Sequence, residues 1–308
     1  MSRKTGSFLL AAVLCLSGFV CLSDEVAADE ELKPEQLVAA HVKSIGSPDY
    51  LARVRSRSFV GTTEVQFIQG MSGLLKGTSM FVSQGPQVGI VMKFQDINYP
   101  GEYFAYDGQE VTVGHMSPGQ KSPIAEFLYR YNRLMKEGFI GGSLSTAWPL
   151  LTIDEQKVEM KSRKTKVEGK ELYELEYRPK ESLGDLRIKI YFDPETYRHV
   201  RTEYRIRVRD DMSFGGSSTY DPLADESVVK SAGGGGMAIG ESRPDSIYLL
   251  VEKFDNFKKV GNTVLPHKYV LDYSLEGSGH AFIANWTLNA STWVVNQKYD
   301  SKIFQAQK

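Results

Sequence analysis

The chain has 308 residues, of which 41% are hydrophobic, 24% charged and 11% aromatic. Lys plus Arg number 37 and Asp plus Glu 38, a net charge of -1. That balance argues against a nucleic-acid partner, which needs a clustered basic face, and against a polybasic membrane anchor. The length suits one large all-β domain or two smaller ones.

Residues 1–28 read as a secretory signal peptide. Arg3 and Lys4 precede the apolar run Phe8 to Leu22, and Val26-Ala27-Ala28 offers small residues for cleavage ahead of Asp29-Glu30-Glu31. The alternative is an uncleaved N-terminal anchor. Cys15 and Cys21 lie inside this segment, so the mature chain is expected to carry no thiol, disulfide or Cys-held metal. Gly18-Phe19-Val20 before Cys21 is a poor lipoprotein signal. A free periplasmic protein is therefore expected, with no stable membrane anchor.

Pro34 suits a first helical position, and Leu37, Val38, His41, Val42 and Ile45 share one helical face up to Gly46. Ser47-Pro48 starts a short second helix that runs to about Val54. From Ser58 the period becomes two. Val65 and Phe67 alternate with polar neighbours, as do Met80 and Val82, and then Ile90, Met92 and Phe94. Asp107-Gly108 marks a hairpin turn. Ile124, Phe127, Leu128, Tyr131, Leu134 and Met135 form an apolar helical stripe that ends at Gly138. The stretch Phe139 to Leu151 is irregular and apolar for a loop. Strands resume with Ile188, Ile190 and Phe192, a turn at Asp193-Pro194-Glu195-Thr196, and Tyr204, Ile206 and Val208. Three more follow around Ile247–Phe254, Val264–Leu275 and Phe282–Val295. Ahead of these three, the glycine-rich excursion from Asp210 to Asp245 cannot support a strand and reads as a flexible insertion, either a solvated excursion or a lid over a site.

Chemistry-bearing motifs are missing from the sequence. His41, His115, His199, His267 and His280 show no metal-ligand spacing. No nucleophile elbow, phosphate loop or dinucleotide fingerprint is present. No cofactor and no catalysis are expected. The apolar residues point elsewhere: many strands with one greasy face, and little helix to cover them. A cavity that takes an acyl chain would use the excess, at about 0.8 kcal/mol per buried CH₂. A closed β-sandwich core would use it equally well, and the pattern alone leaves both open.

Four stretches resemble the LolA/LolB-like superfamily of outer-membrane lipoprotein-sorting proteins. They are Pro34-Ile45 leading into Phe59-Val60-Gly61-Thr62-Thr63-Glu64-Val65, Tyr103-Phe104-Ala105-Tyr106-Asp107-Gly108-Gln109-Glu110-Val111, the helix Ile124-Met135, and Ile190-Tyr191-Phe192-Asp193-Pro194-Glu195-Thr196-Tyr197. The resemblance implies a mainly β, incomplete antiparallel barrel of about ten strands over residues 29–308, with helices on its concave face. It also implies a non-catalytic periplasmic carrier of lipid or lipoprotein acyl chains that works with inner- or outer-membrane transport components. The alternative is an envelope-stress sensor or protein-binding scaffold on the same fold. Among the best-known carriers an arginine closes the lid, and no strand arginine here stands in a clear motif for it. The expected lipid-facing surface is Val65, Phe67, Met80, Val82, Ile90, Met92, Phe94, Ile124, Phe127, Leu128, Tyr131, Leu134, Ile188, Ile190 and Ile206.

Overall fold

The computed structural model describes residues 32–153, 158–178, 186–208, 245–277 and 280–306. The expected signal peptide and all but the last residue of the glycine-rich excursion lie outside them. The chain opens with α1 (Pro34–Ile45), whose Leu37, Val38, His41 and Ile45 are buried, and α2 (Pro48–Leu51). Ser47 caps α2 by accepting from the Tyr50 amide at 3.4 Å.

Five strands follow: β1 (Ser56–Gln69), β2 (Gly73–Gln84), β3 (Gln87–Phe94), β4 (Gly101–Tyr106) and β5 (Val111–Val113). After them come α3 (Pro123–Arg130) and α4 (Arg133–Lys136), then two short 3-10 turns at Gly142–Leu144 and Pro149–Leu151. Seven strands complete the fold: β6 (Glu159–Val167), β7 (Lys170–Arg178), β8 (Arg187–Phe192), β9 (His199–Val208), β10 (Ser246–Val260), β11 (Thr263–Gly277) and β12 (His280–Val295). A 3-10 turn at Ser301–Phe304 ends the described chain.

All twelve strands form one antiparallel sheet in the order β5-β4-β3-β2-β1-β12-β11-β10-β9-β8-β7-β6. The ends β5 and β6 do not pair, so the sheet curves without closing, and among the described residues there is no second sheet to make a sandwich. Among the described residues the strand count is twelve rather than ten because β6 and β7, which the alternation does not mark, pair with each other along their full length. Turn chemistry performs as expected. Asp107 Oδ1 accepts from the amides of Gln109 and Glu110 at 2.9 and 2.8 Å, and Gly108 takes φ +97°. The β1–β12 ladder shifts register between Val60 and Gly61, where a Cβ on Gly61 would sit 1.9 Å from the Asn289 carbonyl oxygen. Such bulges bend the bulged strand and increase its twist.

The expected helix Ile124–Met135 is two helices, broken at Tyr131 and Asn132, and the break lets Tyr131, Leu134 and Met135 all face the sheet. The irregular stretch after it is the centre of the core. Phe139, Ile140, Leu144, Trp148 and Leu150 are each 1% exposed or less. Several of its carbonyls and amides are met by tight turns and by side chains from the sheet, as buried backbone groups require.

The register corrects one pair of expected lipid-facing residues. Phe59 pairs with Phe81 and Val60 with Met80, so Phe81 faces inward while Met80 and Val82 face outward. Both parities of β2 carry apolar side chains, and a one-residue shift of parity reverses every face. Phe59 and Phe81 stack inside at 5.7 Å between ring centroids. Val82 is buried all the same, because the C-terminal turn places Phe304 beside it on the outer face.

Replacing Trp148 by Ala is expected to lower unfolding stability by about 3–5 kcal/mol, seen as a lower urea midpoint. Val60→Thr, on the outer face, is expected to shift it by less than about 0.5 kcal/mol.

Candidate functional site

α3 is capped by Ser122, whose Oγ accepts from the Ala125 amide at 3.0 Å. Ile124, Ala125 and Leu128 pack inward. Pro123, Glu126, Phe127 and Arg130, at spacings of three, one and three, form an adjacent stripe over a pocket of about 590 Å³. The opposite wall is Tyr248 on β10, Tyr273 and Leu275 on β11, and Ala281 and Phe282 on β12; Gln120 and Lys121 lie on the rim. Phe127 lies 5.4 Å from the Tyr273 ring and 6.0 Å from the Tyr248 ring, and Tyr273 lies 6.1 Å from Phe282. The floor is thus aromatic and the rim polar. Lys121 pairs with Glu126 at 3.3 Å and sits 4.3 Å above the Tyr129 ring. The volume falls in the usual range for small-ligand sites, about 300–1,000 Å³.

Behind the pocket, residues 122–151 are tied to the sheet by three buried ionisable side chains. Glu102 on β4 bonds the capping hydroxyl of Ser122 and accepts from Tyr99, whose hydroxyl also accepts from Trp286 Nε1 at 2.8 Å. Glu252 on β10 accepts from the Gly141 amide at 2.8 Å, from Tyr204 at 2.7 Å and from Tyr269. Arg57 on β1 donates to the Ser143 carbonyl at 2.9 Å. Among the described residues none of the three has an oppositely charged partner, and Arg57 Nε and Ser143 Oγ lack partners altogether. Burial lowers Arg57 to about 10. Two histidines lie in the same interior. His41 accepts from Trp148 Nε1 at 3.2 Å, which places its proton on Nδ1, facing the Tyr197 carbonyl at 3.1 Å. His199 stacks on Trp148 at 4.9 Å.

Of the fifteen residues expected to face lipid, thirteen belong to one continuous core: Val65, Phe67, Ile90, Met92, Phe94, Ile124, Phe127, Leu128, Tyr131, Leu134, Ile188, Ile190 and Ile206. The space expected between sheet and helices is filled there by the segment from Phe139 to Leu151. Phe127 alone of the fifteen lines the pocket. Met80 instead lines an outer-face hollow of about 580 Å³ with Val60, Thr62, Thr78, Val91 and Tyr103. The sequence reading missed Glu102, Glu252 and Arg57. Each shares strand parity with an inward aromatic residue (Phe104, Phe254 and Phe59), and a charge on that parity was the available signal.

Among the described residues no group of three or more His, Cys, Asp or Glu could hold a metal ion, and no helix is long and apolar enough to cross a membrane. No protein-family model matches the chain, and no curated protein matches it. Among solved structures the chain is similar to a LolA superfamily protein from Nitrosomonas europaea, at 13% identity and TM-score 0.42, over 89% of this chain and 98% of that one. It is similar to a DUF1329 family protein from Desulfovibrio piger at 11% identity and TM-score 0.41, over 87% and 95%. A third similarity is to the Pseudomonas aeruginosa MucA/MucB complex, at 10% identity and TM-score 0.21, over 84% and 97%.

The buried groups set a pH dependence. Burial pushes both Glu102 and Glu252 from 4.5 up to about 7. The folded chain therefore holds those protons more tightly than the unfolded chain, and stability falls as pH rises from 4.5 through about 7. Each rise corresponds to about 3 kcal/mol. Burial also lowers His41 from 6.5 to about 4 and His199 well below 6.5. Those rings take up protons only on unfolding, so they oppose the glutamates below pH 6.5. Above it the glutamates act alone. The thermal midpoint is expected to drop by a few degrees between pH 6.5 and 8. In a Glu102→Gln, Glu252→Gln double variant that drop should vanish; an unchanged drop would contradict the assignment.

Proposed function

We propose that the protein is an exported, non-catalytic carrier that seats an acyl chain, of a free lipid or of a lipoprotein, between α3 and the ends of β10, β11 and β12. The observation that carries this reading is the pocket of about 590 Å³ with an aromatic floor and a charged rim. A chain laid across Phe127, Tyr273, Leu275 and Phe282 gains about 0.8 kcal/mol for each CH₂ it buries, while its head stays at the polar rim. Delivery toward an outer membrane, from one membrane transport component to another, goes with this reading. So does cleavage of residues 1–28, which places the mature N-terminus at Asp29.

Delipidated protein is expected to take up a fluorescent fatty acid, read by titration. Phe127→Asp should abolish uptake. Leu275→Asp, at a half-buried position that the fold tolerates better, should weaken it at least tenfold, since a carboxylate placed among the floor residues must be desolvated. A delipidated wild-type protein that takes up none ends the carrier reading.

The outer-face hollow favours a second reading, a scaffold that binds another protein. Val60 is 52% exposed at its edge, with Met80 and Val91 beside it. Met80→Asp abolishing the cellular role, with fatty-acid uptake intact, would put this reading first.

A further inference from the structure

The pocket's polar groups are unevenly satisfied, and the imbalance says which end of a ligand they meet. Glu126 and Lys121 pair with each other at 3.3 Å. Arg130, one helical turn beyond Glu126 on the same stripe, has no carboxylate within ion-pair distance among the described residues and is half-buried at the pocket wall. The lining therefore carries two cations, Lys121 and Arg130, against one anion, Glu126. Tyr273, on the opposite wall, is 2% exposed overall, lines the same pocket and has its hydroxyl in the field of Arg130. Burial and the Glu126 charge hold that hydroxyl protonated, while Arg130 acts in the other direction.

A cation at the last turn of a helix has a plain structural use, since it complements the carbonyl end of the dipole. That use explains an arginine at position 130, but not its place on the wall of an apolar pocket across from a tyrosine hydroxyl. An anionic oxygen in the pocket would accept from both groups, a charge-assisted contact worth about 1.5–3 kcal/mol. Guanidinium suits this task, because its planar fork meets carboxylate and phosphate oxygens two at a time.

We infer that the pocket selects amphiphiles with an anionic head, the head held by the Arg130 guanidinium and the Tyr273 hydroxyl and the acyl chain lying on Phe127, Leu275 and Phe282. This rests on the acyl-chain reading above and narrows it. The shared head chemistry is an oxyanion on a single acyl chain, which a fatty acid supplies as carboxylate and a lysophospholipid as phosphate diester.

Three probes separate the possibilities in titrations of the delipidated full chain: palmitate, lysophosphatidylglycerol and methyl palmitate, which keeps the chain without the charge. Wild-type protein is expected to bind at least one anionic probe about tenfold more tightly than methyl palmitate, the worth of one charge-assisted contact. The better anion identifies the source of the head. Raising the salt should narrow the difference, because the rim is open to water. Arg130→Gln should erase the preference and leave methyl palmitate binding unchanged. Tyr273→Phe should reduce anion binding by about three- to tenfold. Equal binding of all three probes, or an Arg130→Gln variant that keeps the preference, overturns the head-group inference while the acyl pocket stands. Failure of the wild-type protein to bind any of the three overturns both.

Discussion

A curved sheet of twelve strands has an inner face that must be covered, and everything else in this molecule follows from how residues 122–151 cover it. The helices α3 and α4 do part of the work. The rest falls to a short irregular segment that places Phe139, Leu144, Trp148 and Leu150 against the sheet with almost no exposed surface. Apolar contact is undirected, so it does not by itself say where such a segment must sit. Glu102, Glu252 and Arg57 supply the direction. Each reaches inward from a strand and bonds a specific atom of the segment: the Ser122 hydroxyl, the Gly141 amide, the Ser143 carbonyl. Burying a charge without a counter-charge is expensive, and well-packed apolar replacements of similar volume are often as stable or more so. The net gain from these three residues is therefore in placement more than in stability.

That placement explains why an open pocket exists at all. With the centre of the half-barrel filled, the remaining space lies at one end, where α3 meets the ends of β10, β11 and β12. α3 is amphipathic in an unusual way. One stripe enters the core, and the next faces the pocket with two charged residues and one aromatic ring. The same eight-residue helix thus closes the core and forms the binding wall. The floor stays aromatic because Tyr248, Tyr273 and Phe282 are at strand ends, where the sheet has run past its own filling.

The outer face follows a different rule. Its strands are mostly polar, with ion pairs such as Arg163–Glu174 and Arg201–Glu203 across β6 to β9. On the β1–β4 side the C-terminal segment crosses it. Tyr103 donates to the Ile303 carbonyl at 2.7 Å, and Phe304 is fully buried beside Val82. Where that cover stops, Val60 and Met80 line the outer hollow.

Elements whose signal is local were legible from the amino-acid order alone. α1 is bounded by Pro34 and Gly46, the hairpin at Asp107-Gly108 is set by one carboxylate and one glycine, and the strands with a single apolar parity, such as Ile188-Ile190-Phe192, face as their alternation says. Local chemistry sufficed because each signal acts within four residues. Contacts between distant parts of the chain settled the rest: the parity of β2, where Phe81 won the inner face because Phe59 lies opposite it; the filling of the half-barrel by Phe139 to Leu151; and the meeting of Arg130 with Tyr273 at one pocket across more than a hundred residues of chain. A strand with apolar residues on both parities carries no preference of its own. Its partners choose the face, and with it which residues become core and which are left to line a site.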